Sequence, residues 1–144
     1  MNEKWIWFDC DGTIADLYGT ENWLPKLIAR DPSPYECAKP LLNMNVLARA
    51  LNKLQARGYK LGIISWLSKT STPEYDEKVT TAKKKWLKRH LRSVKWDKVD
   101  IVPYGTPKEV GRTGILFDDE EKNRTNWGDG AHDVHNVLEV LKSL

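Results

Sequence analysis

The sequence predicts an α/β protein in which helices cover both faces of a parallel β-sheet, and two features lead to this expectation. Short apolar segments alternate along the chain with amphipathic ones, an order typical of parallel sheets connected by helices. Four apolar segments also end in a polar side chain or lead directly to one, at the place where such sheets carry their chemistry. The chain has 144 residues, and a domain of this length buries roughly two-thirds of its unfolded surface. We therefore expect one domain over residues 1–144, with three layers in the order α/β/α.

The first predicted strand carries the most informative residues. An apolar run, Trp5–Phe8, ends in the motif Asp9-Cys10-Asp11-Gly12-Thr13. Side chains i and i+2 of a strand point to the same face, so Asp9 and Asp11 are expected to converge. Two carboxylates this close repel each other unless a cation lies nearby, and Mg2+ prefers oxygen ligands. The structural alternative is an ordinary Asp-Gly turn at the end of a strand.

Three later segments extend this pattern. A second predicted strand, Leu61–Ser65, ends in a hydroxyl group. The third, Val99–Tyr104, is followed by Lys108, and the fourth, Gly114–Asp119, ends in two adjacent carboxylates. The carboxyl ends of parallel strands meet at one edge of a sheet, so we expect these polar groups to lie near the first motif.

The segments between the strands indicate helices. A clear amphipathic pattern covers Asn43–Arg57 and is ended by Gly58, a residue favoured after a helix. Longer and shorter helices are expected over Pro73–Arg92 and Val134–Leu144. The Pro- and aromatic-rich stretch after the first strand is expected to contain only a short helix, around Trp23–Arg30.

The helix predicted over residues 73–92 is strongly basic, and its charge has two interpretations. Apolar residues recur at helical spacing and are expected to face the core: Val79, Ala82, Trp86, Leu87 and Leu91. The lysines, Lys83–Lys85 among them, would then lie on the solvent face. Nucleic-acid binding is the alternative, since Trp86 and Trp96 are interleaved with the basic residues.

Composition excludes several classes of protein. The formal net charge is only +3, the mean hydropathy is −0.59, and no apolar run approaches the ~18 residues of a membrane span. The first residues run directly into a strand, which leaves no room for a signal peptide. Two cysteines, Cys10 and Cys37, make neither a disulfide framework nor a zinc pattern. We therefore expect a cytoplasmic location with reduced thiols.

Taken in order, the four motifs resemble the haloacid dehalogenase (HAD) superfamily of phosphotransferases. That family carries an Asp-x-Asp-Gly-Thr strand end, a strand ending in Ser or Thr, an isolated Lys and a final acidic pair. The resemblance covers nearly the whole chain and implies a Rossmann-like, HAD-like sheet. Many larger members contain a sizeable cap domain, whereas here a small cap-type insert at residues 17–40 is all that the spacing allows. An open site is the expected consequence.

The same resemblance implies a catalytic role for both residues of the first acidic motif. Asp9 would be the nucleophile that forms an aspartyl-phosphate. Asp11 would first protonate the leaving oxygen and then activate water. The enzyme would be a phosphatase, a hydrolase of phosphomonoesters.

The resemblance further implies a phosphate site and a Mg2+ site. The phosphate would be bound by Thr13, Ser65 and Lys108, with Lys69 and Lys122 as the alternatives to Lys108. The Mg2+ ligands would be Asp9, Asp11 (through its main-chain carbonyl), Asp118 and Asp119, where Asp119 acts through water or by orienting its neighbours. Asn123 either contacts Asp118 or stabilises the following loop, and Asp119 could also cap that turn.

The substrate is indicated only by aromatic residues. The chain has seven tryptophans, and three lie close in sequence to the motif loops: Trp23, Trp66 and Trp127. They would form the rim of the site and could stack on a base, although large aromatics also close small cores. The acidic-pair region is similar to the 5′-nucleotidase branch of the family. The partner would then be a small phosphorylated substrate, either a nucleotide or a nucleic-acid end, while the sequence gives no oligomeric state.

A function from a different class remains open at this point. The chain could be a non-catalytic or accessory HAD-fold module that binds nucleic acid or protein through its basic helix. The intact pair of Asp9 and Asp11 favours the enzyme, because a binding module has no need for both acids.

Overall fold

The computed structural model describes residues 3–144. Residues 1 and 2 lie outside the described part of the chain. The elements in chain order are β1 (Lys4–Phe8), β2 (Ala15–Asp16), α1 (Trp23–Ile28), α2 (Ser33–Cys37), β3 (Lys39–Pro40), α3 (Met44–Ala56), β4 (Tyr59–Trp66), α4 (Pro73–His90), β5 (Lys98–Val102), β6 (Ile115–Phe117), α5 (Glu121–Trp127), β7 (Ala131–His132), a 3-10 turn (Val134–Asn136) and α6 (Val137–Ser143). Within the described residues, no helix has the length and apolar character needed to cross a membrane.

A five-stranded parallel sheet in the order β5-β4-β1-β6-β7 forms the centre of the fold. Ile6 of β1 is paired with Leu61 of β4 on one side and with Ile115 of β6 on the other. The Rossmann-like α/β architecture expected from the sequence is therefore confirmed. The two-residue strand β7 was not predicted, because it is too short to show a periodicity.

The two faces of the sheet are covered differently. On one face, inward side chains such as Phe8 and Ile63 pack against α3, α4 and α6 in the main core. On the other face, Trp7, Ile64 and Leu116 are covered by α5 and by the long connection between β5 and β6. There the ring of Trp7 stacks on Trp5 with 4.8 Å between ring centroids. Several tryptophans thus serve to close a thin layer over the sheet.

The long helix α4 connects the sheet with the insert that follows β1. Its N-cap residue Thr72 accepts a hydrogen bond from the Tyr75 amide at 3.1 Å, and Pro73 occupies the first turn, a position where its missing N–H costs nothing. The first half of α4 packs against the insert in a separate apolar cluster: Leu17, Leu27, Tyr35, Leu67, Tyr75, Val79 and Ala82. The second half joins the main core through Trp86 and Leu87.

The insert is more structured than the sequence indicated. The single helix expected around residues 23–30 is α1, and a second short helix, α2, follows it. Strands β2 and β3 pair in an antiparallel manner and close the base of the insert. Segments this short lack the repeats from which helices and strands are predicted, so propensity alone could not locate them.

Gly62 of β4 provides a test of the packing on the outer face of the sheet, the face covered by α5 and by the connection between β5 and β6. Gly62 pairs with Trp7 in β1, and an added Cβ would overlap the Trp7 ring. Gly62→Ala should therefore lower the free energy of unfolding by about 1–3 kcal/mol, the range for overpacking a core. Urea unfolding followed by tryptophan fluorescence measures this change. The exposed residue Lys53 on α3 supplies a control, and Lys53→Ala should stay within about 0.5 kcal/mol of wild type. An equally small effect of Gly62→Ala would contradict the packing described here.

Candidate active site

The carboxyl ends of the central strands bring four of the expected residues together. Asp9 follows β1, Ser65 lies at the end of β4, Asp118 follows β6, and Lys108 comes from the connection after β5. All four side chains are buried. The Lys108 ammonium donates to Asp9 Oδ1 at 3.1 Å and to Asp118 Oδ2 at 2.7 Å. Buried charges require partners of opposite sign, and here the ammonium bridges two carboxylates.

The two alternative lysines occupy different surroundings. Lys69 is exposed, and its ammonium lies 4.9 Å from the centroid of the Tyr104 ring at the edge of the site. Lys122 is exposed on α5. Lys108 is thus the lysine placed between the two acidic motifs.

Helix α5, absent from the expectations, fixes the side chain of Asp118. The Glu120 amide donates to Asp118 Oδ1 at 2.9 Å, and Asn123 Nδ2 donates to Oδ2 at 3.2 Å. Arg124 binds the main-chain carbonyl of Asp118 at 3.0 Å. Of the two roles considered for Asn123, contact with Asp118 is the one observed.

Asp9, Asp118 and Asp119 form a candidate metal centre. Each offers one carboxylate oxygen, and these oxygens all lie within 4.8 Å of one another. Burial, together with the charges of Asp9 and Asp118, raises the pKa of Asp119 to about 8. Burial and Asp9 also raise the pKa of Asp118, against the opposing effect of Lys108. An all-oxygen, electron-rich set suits Mg2+, and a divalent cation would relieve the repulsion among the three acids.

Asp11 is held apart from these acids by a residue that sequence reasoning missed. Its Oδ2 accepts a hydrogen bond from the Lys83 ammonium at 2.9 Å. Lys83 also donates to Ser65 Oγ at 2.7 Å and to the Trp66 carbonyl at 2.6 Å. The carboxylate of Asp11 is not part of the three-acid cluster, and a role for its main-chain carbonyl as a ligand stays a prediction.

The expectation that the lysines of the basic helix face solvent is wrong for Lys83, whose relative exposure is 2%. Lys83 lies four residues after Val79 and four before Leu87, so helical geometry places it on the buried stripe of α4. This spacing was the available signal. The prediction instead followed the usual preference of lysine for the surface. That preference holds for the neighbouring Lys84 and Lys85, which are exposed as expected.

Gly12 and Thr13, the last residues of the first motif, position the side chains of Asp9, the candidate nucleophile, and of Asp119. Thr13 is fully buried, and its hydroxyl donates to Asp9 Oδ2 at 3.1 Å. Gly12 has a φ of 80°, and a Cβ at this position would overlap the carboxylate of Asp119. A glycine here therefore allows both the left-handed backbone and the close approach of Asp119.

A cavity of about 330 Å³ opens above these groups. Asp9, Asp11 and Lys108 lie among its lining residues. The insert contributes a largely apolar wall, formed by Leu17, Tyr18, Trp23, Leu24, Leu27 and Ile28. Other segments contribute polar and aromatic groups to the lining, among them Trp66, Lys69 and Tyr104. Trp66 and Tyr104 pack together with 4.9 Å between ring centroids.

Of the three tryptophans expected at the rim, the structure brings two to the cavity. Trp23 and Trp66 line it, whereas Trp127 does not. Trp127 is the last residue of α5, and its indole N–H donates to the Gly114 carbonyl, just before β6, at 2.9 Å. Because α5 starts near the carboxyl edge of the sheet and runs back along it, its end lies towards the opposite edge. Proximity in sequence to the acidic pair was therefore misleading.

Comparison with known structures supports the fold assignment. The crystal structure of a D,D-heptose 1,7-bisphosphate phosphatase from Burkholderia thailandensis matches with a TM-score of 0.60 and 11% sequence identity, over 98% of this chain and 97% of that chain. The protein thus shares its Rossmann-like α/β fold with this phosphatase. No protein-family model and no curated protein matches the sequence. The neighbour gives no support to the specific likeness to 5′-nucleotidases.

The raised pKa of Asp119 gives the metal-free protein a defined pH dependence. The carboxyl holds its proton more tightly in the folded state than in the unfolded chain, whose pKa is near 3.9. Its stabilising contribution should be complete below that value and should be lost as the pH rises towards about 8. Thermal unfolding of chelator-treated protein between pH 5 and 8 should show this decline, and Asp119→Asn should flatten it.

Mg2+ should reverse part of the decline, because a ligand that binds only the folded state stabilises it. Added Mg2+ should raise the melting temperature of wild type at pH 8 more than that of Asp119→Asn. The exposed residue Asp129 provides a control, since Asp129→Asn should respond as wild type does. Equal responses of Asp119→Asn and wild type to both pH and Mg2+ would contradict the three-acid site.

Proposed function

We propose that the protein is a Mg2+-dependent phosphomonoester hydrolase that works through an aspartyl-phosphate on Asp9. The observation that carries this proposal is the position of Asp9: it lines the cavity while its two oxygens are fixed by Lys108 and Thr13. A buried carboxylate oriented in this way is suited to in-line attack on phosphorus. The HAD-like fold of a known phosphatase agrees with the proposal but does not assign an activity.

In the first half of the proposed reaction, an oxygen of Asp9 attacks phosphorus and the bond to the leaving oxygen breaks. Asp11 gives its proton to that oxygen. In the second half, Asp11 takes a proton from water, which attacks the same phosphorus and breaks the bond to Asp9. Inorganic phosphate is released and both acids return to their starting state.

The surrounding groups would stabilise the charge that develops on the phosphoryl oxygens. Lys108 supplies a positive charge next to Asp9. Ser65, also expected from the sequence to bind phosphate, is fully buried and does not line the cavity. Asp9, Asp118 and Asp119 would hold Mg2+, which supplies charge neutralisation when bound. Thr13, expected from the sequence to bind phosphate, would act on Asp9 instead, because its hydroxyl already donates to that carboxylate.

We further propose a nucleotide as the substrate, on the basis of the cavity walls. A volume of about 330 Å³ falls at the low end of the roughly 300–1,000 Å³ of small-molecule sites. Trp23, in edge contact with Tyr18, and Trp66, packed on Tyr104, offer two aromatic surfaces in its lining. Flat aromatic groups of this kind bind bases by stacking. The insert at residues 17–40 would act as the lid over the base. If the substrate were a nucleic-acid end, only its terminal nucleotide could enter the cavity.

The alternative of a non-catalytic module rests on the exposed basic residues of α4, and the buried charges argue against it. A binding protein would have no use for a cavity floor of Asp9, Asp11 and Lys108, since burying ionised groups costs free energy. The experiment that follows also tests this alternative.

Asp9→Asn should abolish hydrolysis of p-nitrophenyl phosphate, because the amide is no nucleophile. We expect turnover to fall by at least about 10³-fold, the scale seen when a covalent catalyst is removed. Activity is measured with Mg2+ and with chelator, and circular dichroism checks the fold. Asp129→Asn is the matched control and should retain wild-type turnover. Wild-type activity in Asp9→Asn would exclude the covalent mechanism, while a wild-type protein inactive on all phosphate esters would favour a binding role.

Trp23→Ala tests the nucleotide proposal. If a base stacks on this ring, KM for a nucleoside monophosphate should rise about 5- to 150-fold, which corresponds to the ~1–3 kcal/mol of one stacking contact. Hydrolysis of p-nitrophenyl phosphate should change little, because that substrate requires mainly the phosphate site. Trp127→Ala, at the other edge of the sheet, should leave the nucleotide KM unchanged. Equal losses on both substrates would mean that Trp23 serves only to hold the insert in place.

A further inference from the structure

Lys83 is a buried charged residue to which the proposed reaction assigns no role. Its side chain is 2% exposed, and it lies where the two halves of α4 meet. Val79 and Ala82 before it belong to the apolar cluster of the insert, and Trp86 and Leu87 after it belong to the main core. The ring of Tyr35, from α2 in the insert, lies 5.0 Å from the ammonium. An apolar side chain would fill this position at less cost in desolvation.

The contacts of Lys83 use the full donor capacity of an ammonium group. Its three hydrogen bonds go to Asp11 Oδ2, Ser65 Oγ and the Trp66 carbonyl. Two of these acceptors belong to the candidate acid/base and to the candidate phosphate ligand. Because the network spans the ends of β1 and β4, it fixes two groups of the site relative to each other.

The chemistry of the donor dictates how the two partners are oriented. An ammonium has no acceptor, so Asp11 Oδ2 and Ser65 Oγ can only accept from it. The proton that Asp11 delivers must therefore be carried by Oδ1, and Asp11 lines the cavity. The Ser65 hydroxyl hydrogen must likewise point away from Lys83, although Ser65 is fully buried and does not line the cavity.

We infer that Lys83 is a positioning residue that sets Asp11 for proton transfer to the leaving oxygen. This inference rests on the proposed function. Proton transfer matters most when the leaving oxygen is basic, and general acid–base catalysis contributes about 10²–10⁴-fold in such cases. A misplaced Asp11 thus affects poor leaving groups far more than good ones.

The test compares phenyl phosphate, whose leaving oxygen is strongly basic, with p-nitrophenyl phosphate, whose leaving oxygen is not. Lys83→Met keeps the length and apolar stem of the side chain and removes the ammonium. The ratio of kcat/KM for phenyl phosphate to kcat/KM for p-nitrophenyl phosphate should fall by about tenfold or more, within the range that acid–base catalysis supplies. Lys84→Met, one residue further on the exposed face of α4, should leave the ratio unchanged.

A second measurement separates positioning from a general structural effect. In an Asp11→Asn background, Lys83→Met should have no further effect on the ratio, because coupled residues do not contribute independently. If Lys83→Met does not fold, Lys83→Gln, which retains a donor without the charge, takes its place in both comparisons.

The outcomes distinguish this inference from the proposed function. An inactive wild-type protein overturns the phosphatase proposal and this inference with it. An active wild type, together with variants that lose activity equally on both substrates, overturns only the role of Lys83. Additive effects of the Lys83 and Asp11 substitutions on the ratio would do the same.

Discussion

The structure depends most on the ammonium of Lys108, which lies between Asp9 and Asp118 in the interior at the edge of the sheet. Ionised groups that leave water must recover their hydration through partners, and removal of one partner exposes the others to the full cost. The local structure follows from this requirement. Thr13 supplies a hydroxyl to Asp9, and Asn123 supplies an amide to Asp118. Helix α5 carries Asn123 and thereby completes the hydrogen bonding of the Asp118 carboxylate.

Charge is shared unequally between the two halves of the site. On one side, Asp9, Asp118 and Asp119 face a single ammonium, and burial together with the neighbouring negative charges raises the pKa of Asp119. On the other side, Asp11 is matched one to one by Lys83. A divalent cation is therefore favoured beside the three acids, while Asp11 already has a cationic neighbour in Lys83. This division agrees with the proposed roles, in which the nucleophile side meets the phosphate charge and the Asp11 side moves a proton.

Sequence reasoning was able to predict the sheet and the residues at its edge, because both depend on local patterns. Alternating strands and helices determine the order of the layers, and the polar group that ends each strand follows from parallel pairing. It failed for residues whose position depends on the direction that a helix takes in the tertiary structure. The path of α5 carries Trp127 away from the cavity, and no local pattern reports which way a helix leaves a strand. It failed also for Lys83, where residue type and helical spacing predicted opposite environments. The structure follows the spacing, with Asp11 as the charged partner of the buried ammonium.

The positions of the tryptophans separate those that pack against the sheet or in the core from those that line the cavity. Trp5, Trp7 and Trp127 cover the outer face of the sheet, Trp86 lies in the main core and Trp96 packs against it, so five of the seven tryptophans have a structural explanation. The case for a stacked base therefore depends on Trp23 and Trp66 alone, not on composition. Their position is nonetheless specific, since one comes from the insert and the other from the end of β4, directly after Ser65. A phosphate bound next to Asp9 and Lys108 would thus leave its organic group in a cavity whose lining contains both rings.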